Sequence, residues 1–162
     1  MSVPAVILEG EISWTKIDRR LITAFARLSG DQNPIHTDKK RAQKFGLATN
    51  IAHGGLIFAL LSAAVWKKHG DGAIIARGDF KFCRPVKVND YIGFYFEEPV
   101  ERFGLIEQKV TIFGHVIHDS LGIEIVAQND AKLGELKLLI QAPTVSAKDT
   151  DAIHVQSELV PA

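Results

Sequence analysis

Residues 25–66 read FARLSGDQNPIHTDKKRAQKFGLATNIAHGGLIFALLSAAVW, and this stretch decides the fold. It has three parts. A polar loop carries Asp31, Asn33 and His36. A short charged helix follows, with Asp38 placed to cap its start and Gly46 past its end. His53-Gly54-Gly55 then opens a run, 56–66, in which Ser62 is the only polar residue.

That run is too long and too rich in Ala and Leu for an ordinary strand. It is too short for a bilayer, which takes about 20 apolar residues. A helix apolar on every side is expected to be buried. Lys67, Lys68 and His69 fall in its last turn, at the negative end of the helix dipole, and Gly70 suits the position just past the end. The helix start is chemically useful. Its first amides lack partners inside the helix and carry partial positive charge. Gly54 and Gly55 have no side chain to keep a ligand from those amides. A carbonyl oxygen that turns negative during a reaction fits there.

Upstream, 1–9 form a short apolar lead-in, and Ile12, Trp14 and Ile17 suggest a first strand. Asp18 caps a helix expected over 19–28, with Leu21, Ile22, Phe25 and Leu28 on one face and Ser29-Gly30 at its end. Residues 31–35 read as loop. Pro34 disfavours helical geometry at Asn33, and Asn33 can bond to nearby backbone and shape the turn. From residue 73 the character changes. The segments 73–82, 86–97, 105–113, 121–128 and 133–141 are rich in Ile, Val, Phe and Tyr and read as strands. Turns or bends fall at Asn89-Asp90, Phe103-Gly104, 119–122 and Asn129-Asp130, and Arg84-Pro85 separates the first two strands. Helices first and consecutive strands after argue for an α+β fold with an antiparallel sheet. One sheet must cover one apolar helix.

The string Phe25, Ala26, Ser29, Gly30, Asp31, Asn33, Pro34, Ile35, His36, followed by Ile51, Ala52, His53 and Gly54, resembles the hydratase-2 motif of MaoC-like dehydratases and (R)-specific enoyl-CoA hydratases. The resemblance implies a hot-dog fold: an antiparallel curved sheet wrapped around a long buried helix. It implies one such domain over 1–142, with 143–162 a polar tail. It implies reversible hydration of a trans-2-enoyl thioester to an (R)-3-hydroxyacyl thioester, a hydro-lyase reaction with no redox cofactor. It also implies a homodimer joined edge to edge, and open sheet edges invite such pairing.

Composition bounds the alternatives. The chain has 162 residues, which suits one domain with a sizeable core. Hydrophobic residues make up 46% and charged residues 23%, a globular balance. A net charge of zero supplies no broad field for nucleic acid or an anionic membrane. Cys83, the only cysteine, allows no internal disulfide and no cysteine-rich zinc site. No secretory leader or membrane span is read from the sequence, so a cytoplasmic location is expected. No Gly-rich dinucleotide loop is present.

Hydration needs a proton taken from water, a proton delivered to C2 and a donor for the thioester oxygen. Asp31 and His36 are the candidate acid–base pair; which takes and which gives the proton stays open. Such groups contribute about 10²–10⁴-fold each. The Gly54 amide is the candidate oxyanion donor. Asn33 fixes the loop. His53 either lines the cleft or supports the loop. Gly55, Phe58, Ser62 and Val65 share a helix face that borders an acyl pocket or simply packs in the core. Ser62 lacks the strand-turn-helix elbow of a serine hydrolase. Gly55 stands where the family often has a larger apolar residue, which suggests a wider pocket. Arg84, with Arg77, Lys81 and Lys87, suits the phosphates of coenzyme A or of an acyl-carrier-protein arm. No metal is expected, either at Asp31, His36 and His53 or at His115 and His118, whose spacing on a strand splits them between faces. Two other functions remain: a thioesterase on the same fold, and a non-catalytic acyl-thioester module. The Asp-x-Asn-Pro-x-His loop argues against both.

Overall fold

The computed structural model describes residues 14–115 and 132–141. The expectations for 1–13, for the strand at 121–128 with its flanking turns, for His118 and for the tail 143–162 lie outside the described residues. The elements are β1 (Thr15–Lys16), α1 (Arg19–Ser29), α2 (Pro34–Thr37), α3 (Lys39–Lys44), α4 (Gly54–His69), β2 (Ile74–Phe82), β3 (Tyr91–Phe96), β4 (Val100–Arg102), β5 (Leu105–His115) and β6 (Lys132–Gln141).

Local chemistry sets the helix ends. The Asp18 carboxylate accepts from Leu21 N–H at 2.8 Å and caps α1, a contact typically worth about 1 kcal/mol. Gly30 ends α1 in the left-handed region at φ 77°, its N–H donating to Ala26 O. Asp38 caps α3 through Arg41 N–H at 3.1 Å. Gly70 closes α4, donating to Trp66 O at 2.8 Å.

The expected loop over 31–35 is shorter than read. Pro34 begins α2, with Asn33 as its cap: the Asn33 side chain accepts from Ile35 N–H at 3.2 Å. Pro34 does push Asn33 out of helical geometry, and for that reason it makes a good first helical residue.

The strands form one antiparallel sheet in the order β1-β3-β5-β6-β2, with β4 paired to β5. The β4–β5 hairpin turns through Phe103 and Gly104, both at positive φ, the twist that tight hairpins need. The strand expected over 86–97 starts only at Tyr91. The reason lies across the fold. Ala52 N–H donates to Val86 O at 2.7 Å, Val88 N–H donates to Asn50 O at 3.0 Å, and Ile51 bridges Lys87. Residues 86–88 therefore line up with the approach to α4 instead of extending β3.

The curved sheet packs on α4 in the hot-dog arrangement. Leu56, Ile57, Leu61 and Val65 face the sheet, and each such burial stabilises by about 1.5–3 kcal/mol. Full burial of α4, expected from its composition, does not occur within one chain. Its outer face leaves Phe58 38% and Trp66 54% exposed, because the sheet covers one side only. Beside it, β2 pairs among the described residues with β6 alone, and it exposes Ile74, Phe80 and Phe82. Among the described residues no helix is long and apolar enough to cross a membrane.

Candidate active site

The loop before α2 is built by short polar bonds. Ser29 Oγ donates to Phe25 O at 2.7 Å, and Asp31 N–H donates to Ser29 Oγ at 3.3 Å. Asp31 Oδ1 accepts from Asn33 N–H at 3.1 Å, the turn chemistry of a short acidic side chain. That leaves Asp31 Oδ2 facing His36 Nε2 at 3.9 Å. Asp31 is exposed, while His36 is only 8% exposed.

His36 Nδ1 lies 2.9 Å from Ile51 O. A carbonyl oxygen only accepts, so Nδ1 carries the proton and the neutral ring keeps a bare lone pair on Nε2, toward Asp31. His53 is fixed the same way: its Nε2 donates to Asp31 O at 3.0 Å. The two imidazoles stack at 3.8 Å with planes 28° apart. Phe25 also packs against His53, ring centroids 5.1 Å apart and planes tilted by 53°. His53 is 1% exposed, and among the described residues its Nδ1 has no partner.

His53 is the residue before α4 and gives no side-chain cap, because its ring is committed to Asp31 O. Among the described residues the cap side chain thus leaves the first amides of α4 uncapped. Gly54 borders a cavity of about 330 Å³ together with His36, Ile57, Phe82, Cys83 and Arg84.

Of the residues expected at the site, His36, Gly54 and Arg84 line this cavity, and Asp31 faces His36 from its exposed side. Asn33 sits one bond back, holding the loop and α2. His53 supports the loop from beneath. The proposed acyl-pocket face does not hold together. Val65 is in the core at 1% exposure, whereas Gly55, Phe58 and Ser62 are exposed on the far side of α4, and none of these lines the cavity. Nor does Gly55 widen a pocket: a Cβ there would lie 3.0 Å from the Phe25 ring, which fills the space. Arg77 and Lys81 meet Asp79 and Glu135 in exposed pairs.

Sequence reading missed the wall formed by Phe82, Cys83 and Val86. Cys83 and Arg84 N–H both donate to Leu133 O, which turns the chain after β2 toward the site. Arg84-Pro85 was the available signal: the pair reads as a strand break and Arg84 as a phosphate contact, with nothing to place Phe82, Cys83 and Val86 beside them. Also missed was Asn50, 1% exposed. With its amide oxygen turned inward it accepts from Asp38 and Lys39 N–H, each at 3.1 Å.

Asp31, His36 and His53 place one potential ligand atom each within 4.8 Å of one another. His36 Nδ1 and His53 Nε2 are spent on carbonyls, which leaves one ring nitrogen of each beside the exposed Asp31 carboxylate.

Residues 9–119 match the model of the MaoC like domain. The chain belongs to the MaoC-like family. Among curated MaoC-like relatives it is 39% identical over 72 residues to the (R)-specific enoyl-CoA hydratase of Rhodospirillum rubrum, a match covering 44% of this chain and 50% of that protein. It is 32% identical over 83 residues to the 3-hydroxybutyryl-CoA dehydratase of Methylorubrum extorquens, covering 51% of this chain and 53% of that one. The chain thus spans about half the length of these relatives. Its fold is similar to that of unliganded R-hydratase PhaJ1 from Pseudomonas aeruginosa, with a TM-score of 0.63 and 26% identity, covering 82% of this chain and 79% of that one.

Proposed function

We propose that the protein reversibly hydrates trans-2-enoyl thioesters to (R)-3-hydroxyacyl thioesters. The observation that carries the reading is the gap between Asp31 Oδ2 and His36 Nε2. Both are acceptors, and 3.9 Å is too long for a direct hydrogen bond. One water that donates a hydrogen to each acceptor, with ordinary bonds of about 2.8 Å, spans that gap. Its oxygen lone pairs then point away from both, toward a substrate. As the oxygen attacks C3, one acceptor takes a proton and the other holds the nucleophile in place. A proton returns to C2, so the elements of water add across the double bond. The thioester oxygen gains charge as this happens, and the open Gly54 amide at the cavity edge suits it. Names of relatives that include a hydratase and a dehydratase support the same reaction class.

The acyl group arrives on coenzyme A or on an acyl-carrier protein, and the charge of Arg84, which lines the cavity, suits the carrier's arm. The working unit is a homodimer. The edge of β2 that no strand pairs among the described residues and the exposed outer face of α4 form one apolar surface, where Phe58 and Phe80 meet edge to face at 5.0 Å. A cytoplasmic location fits this chemistry.

The test is to follow enone absorbance of crotonyl-CoA while assaying free thiol. Loss of absorbance without thiol is expected, and thiol release would instead mark a thioesterase. Asp31→Asn and His36→Ala should each lower turnover by at least about 10²-fold while the thermal transition persists. Near-normal turnover in either variant removes that residue from the mechanism.

A further inference from the structure

Asn50 is polar, 1% exposed and outside every helix and strand. A buried amide is costly unless it is hydrogen-bonded, so its partners show what it is for. Its backbone runs antiparallel to residues 86–88. Val88 N–H donates to Asn50 O at 3.0 Å, Ala52 N–H donates to Val86 O at 2.7 Å, and Ile51 bridges Lys87. This strip belongs to the cavity wall, since Ile51, Ala52 and Val86 all line the cavity.

The Asn50 side chain reaches the far end of α2, the helix that carries His36. Its amide oxygen accepts from Asp38 N–H and Lys39 N–H, each at 3.1 Å. Asp38 caps the end of α2, and its N–H also donates to Pro34 O at 2.9 Å. Lys39 is the first residue of α3, where an amide has no partner within its own helix. The next residue, Ile51, grips the middle of α2. Ile51 N–H donates to Ile35 O at 3.2 Å, and Ile51 O accepts from His36 Nδ1 at 2.9 Å. A helix of four residues does not hold its own shape, so these contacts define where α2 lies. The Ile51 bonds use backbone and suit any residue type. The bond to the α2–α3 joint exists only because residue 50 carries a side-chain acceptor.

We infer that Asn50 is a positioning residue for His36: its amide oxygen ties the α2–α3 joint to the cavity wall and so keeps the His36 ring aimed at Asp31. This rests on the hydration proposed above, in which His36 acts on water, and adds a residue that touches neither substrate nor the reacting atoms. Without the oxygen, α2 is tied only through Ile51. The Nδ1–H bond to Ile51 O then loosens, and both neutral tautomers of His36 become populated. His53 is the internal control. Its Nε2 is held by Asp31 O, on the loop before α2, where Asn50 makes no bond.

The experiment reads tautomers and turnover separately. Asn50→Ala removes the oxygen. Asn50→Asp keeps one, and a carboxylate suits two amides at a helix start. Imidazole nitrogen NMR spectra of wild type and both variants are compared at mildly alkaline pH, where imidazole is neutral. Hydration of crotonyl-CoA is measured alongside. In Asn50→Ala, His36 should pass from the Nδ1–H form to a mixture while His53 keeps its wild-type form. There kcat should fall about tenfold, with KM within about twofold of wild type. Asn50→Asp should restore the single tautomer and most of kcat. The proposal is overturned by a His36 tautomer that is the same in wild type and Asn50→Ala, and equally by an unchanged kcat. Mixed tautomers at both histidines also overturn it, by showing general loosening. If Asn50→Ala does not fold, the same spectra of Asn50→Leu decide, since leucine keeps the branched shape without the oxygen. If wild type hydrates no crotonyl-CoA, the proposed function fails, yet the spectra still decide the positioning.

Discussion

The imidazole of His53 lies under that of His36, 3.8 Å away, while its Nε2–H holds the backbone carbonyl of Asp31. One buried side chain thus positions both members of the proposed acid–base pair. It touches no part of the cavity itself. Replacing it should disturb geometry and spare substrate binding. His53→Ala should lower kcat by about 10²-fold, the scale of a misplaced catalytic group, with KM nearly unchanged. His53→Gln keeps a donor for the Asp31 carbonyl and should recover part of the loss. Equal kcat in wild type and His53→Ala would show that the pair holds itself.

Gly54 allows the oxyanion donor to be removed with little damage to the fold. Proline is tolerated at the first position of a helix, and His53 already has the extended geometry that a following proline demands, at φ −65° and ψ 138°. Gly54→Pro deletes the N–H and should lower kcat by about 10²–10³-fold. Gly54→Ala keeps the N–H but sets a Cβ 3.3 Å from the Phe82 ring, so it serves as the steric control. If alanine and proline cost the same, the amide is not the donor.

The outer face of α4 and the edge of β2 make the dimer testable. Trp66 is 54% and Ile74 58% exposed in the single chain. Charge placed in a buried interface typically costs roughly 2 kcal/mol or more, about 30-fold in Kd. Trp66→Glu/Ile74→Lys should shift the mass seen by light scattering from dimer toward monomer. An unchanged mass would move the interface elsewhere.

His69 gives a pH signature remote from the site. Burial lowers its pKa from the ordinary imidazole value, the Lys68 charge lowers it further, and Gln108 acts in the opposite direction. The folded chain therefore binds fewer protons here than the unfolded chain. Its stabilising share is present above pH 6.5 and is lost as pH falls below that value through the folded pKa. The melting temperature of wild type should drop more steeply between pH 7 and 5 than that of His69→Gln. Parallel curves would show that His69 titrates alike in both states.

Much of this was legible in the sequence because it is local. Asp18 and Asp38 cap the helices they precede, Gly30 and Gly70 end theirs, and the six residues from Asp31 to His36 bring the two side chains together. What stayed hidden depends on distant partners. Residues 86–88 have strand-like side chains, yet their backbone groups go to Asn50 and Ala52. Phe82 and Cys83 reach the cavity only because Leu133 O turns the chain there. The helix α4 is apolar all round, and composition does not say whether the cover is the chain's own sheet or another surface. Gly55 looked like empty room, and the ring of Phe25 occupies it.

Asp38 is at once the C-cap of α2 and the N-cap of α3, the single residue between the two helices. A joint without slack passes on any change of length. Adding or deleting one residue between 37 and 50 would rotate the His36 turn rather than bulge into solvent. Across natural variants of this chain, length changes should therefore gather in the β4–β5 hairpin and stay out of this segment.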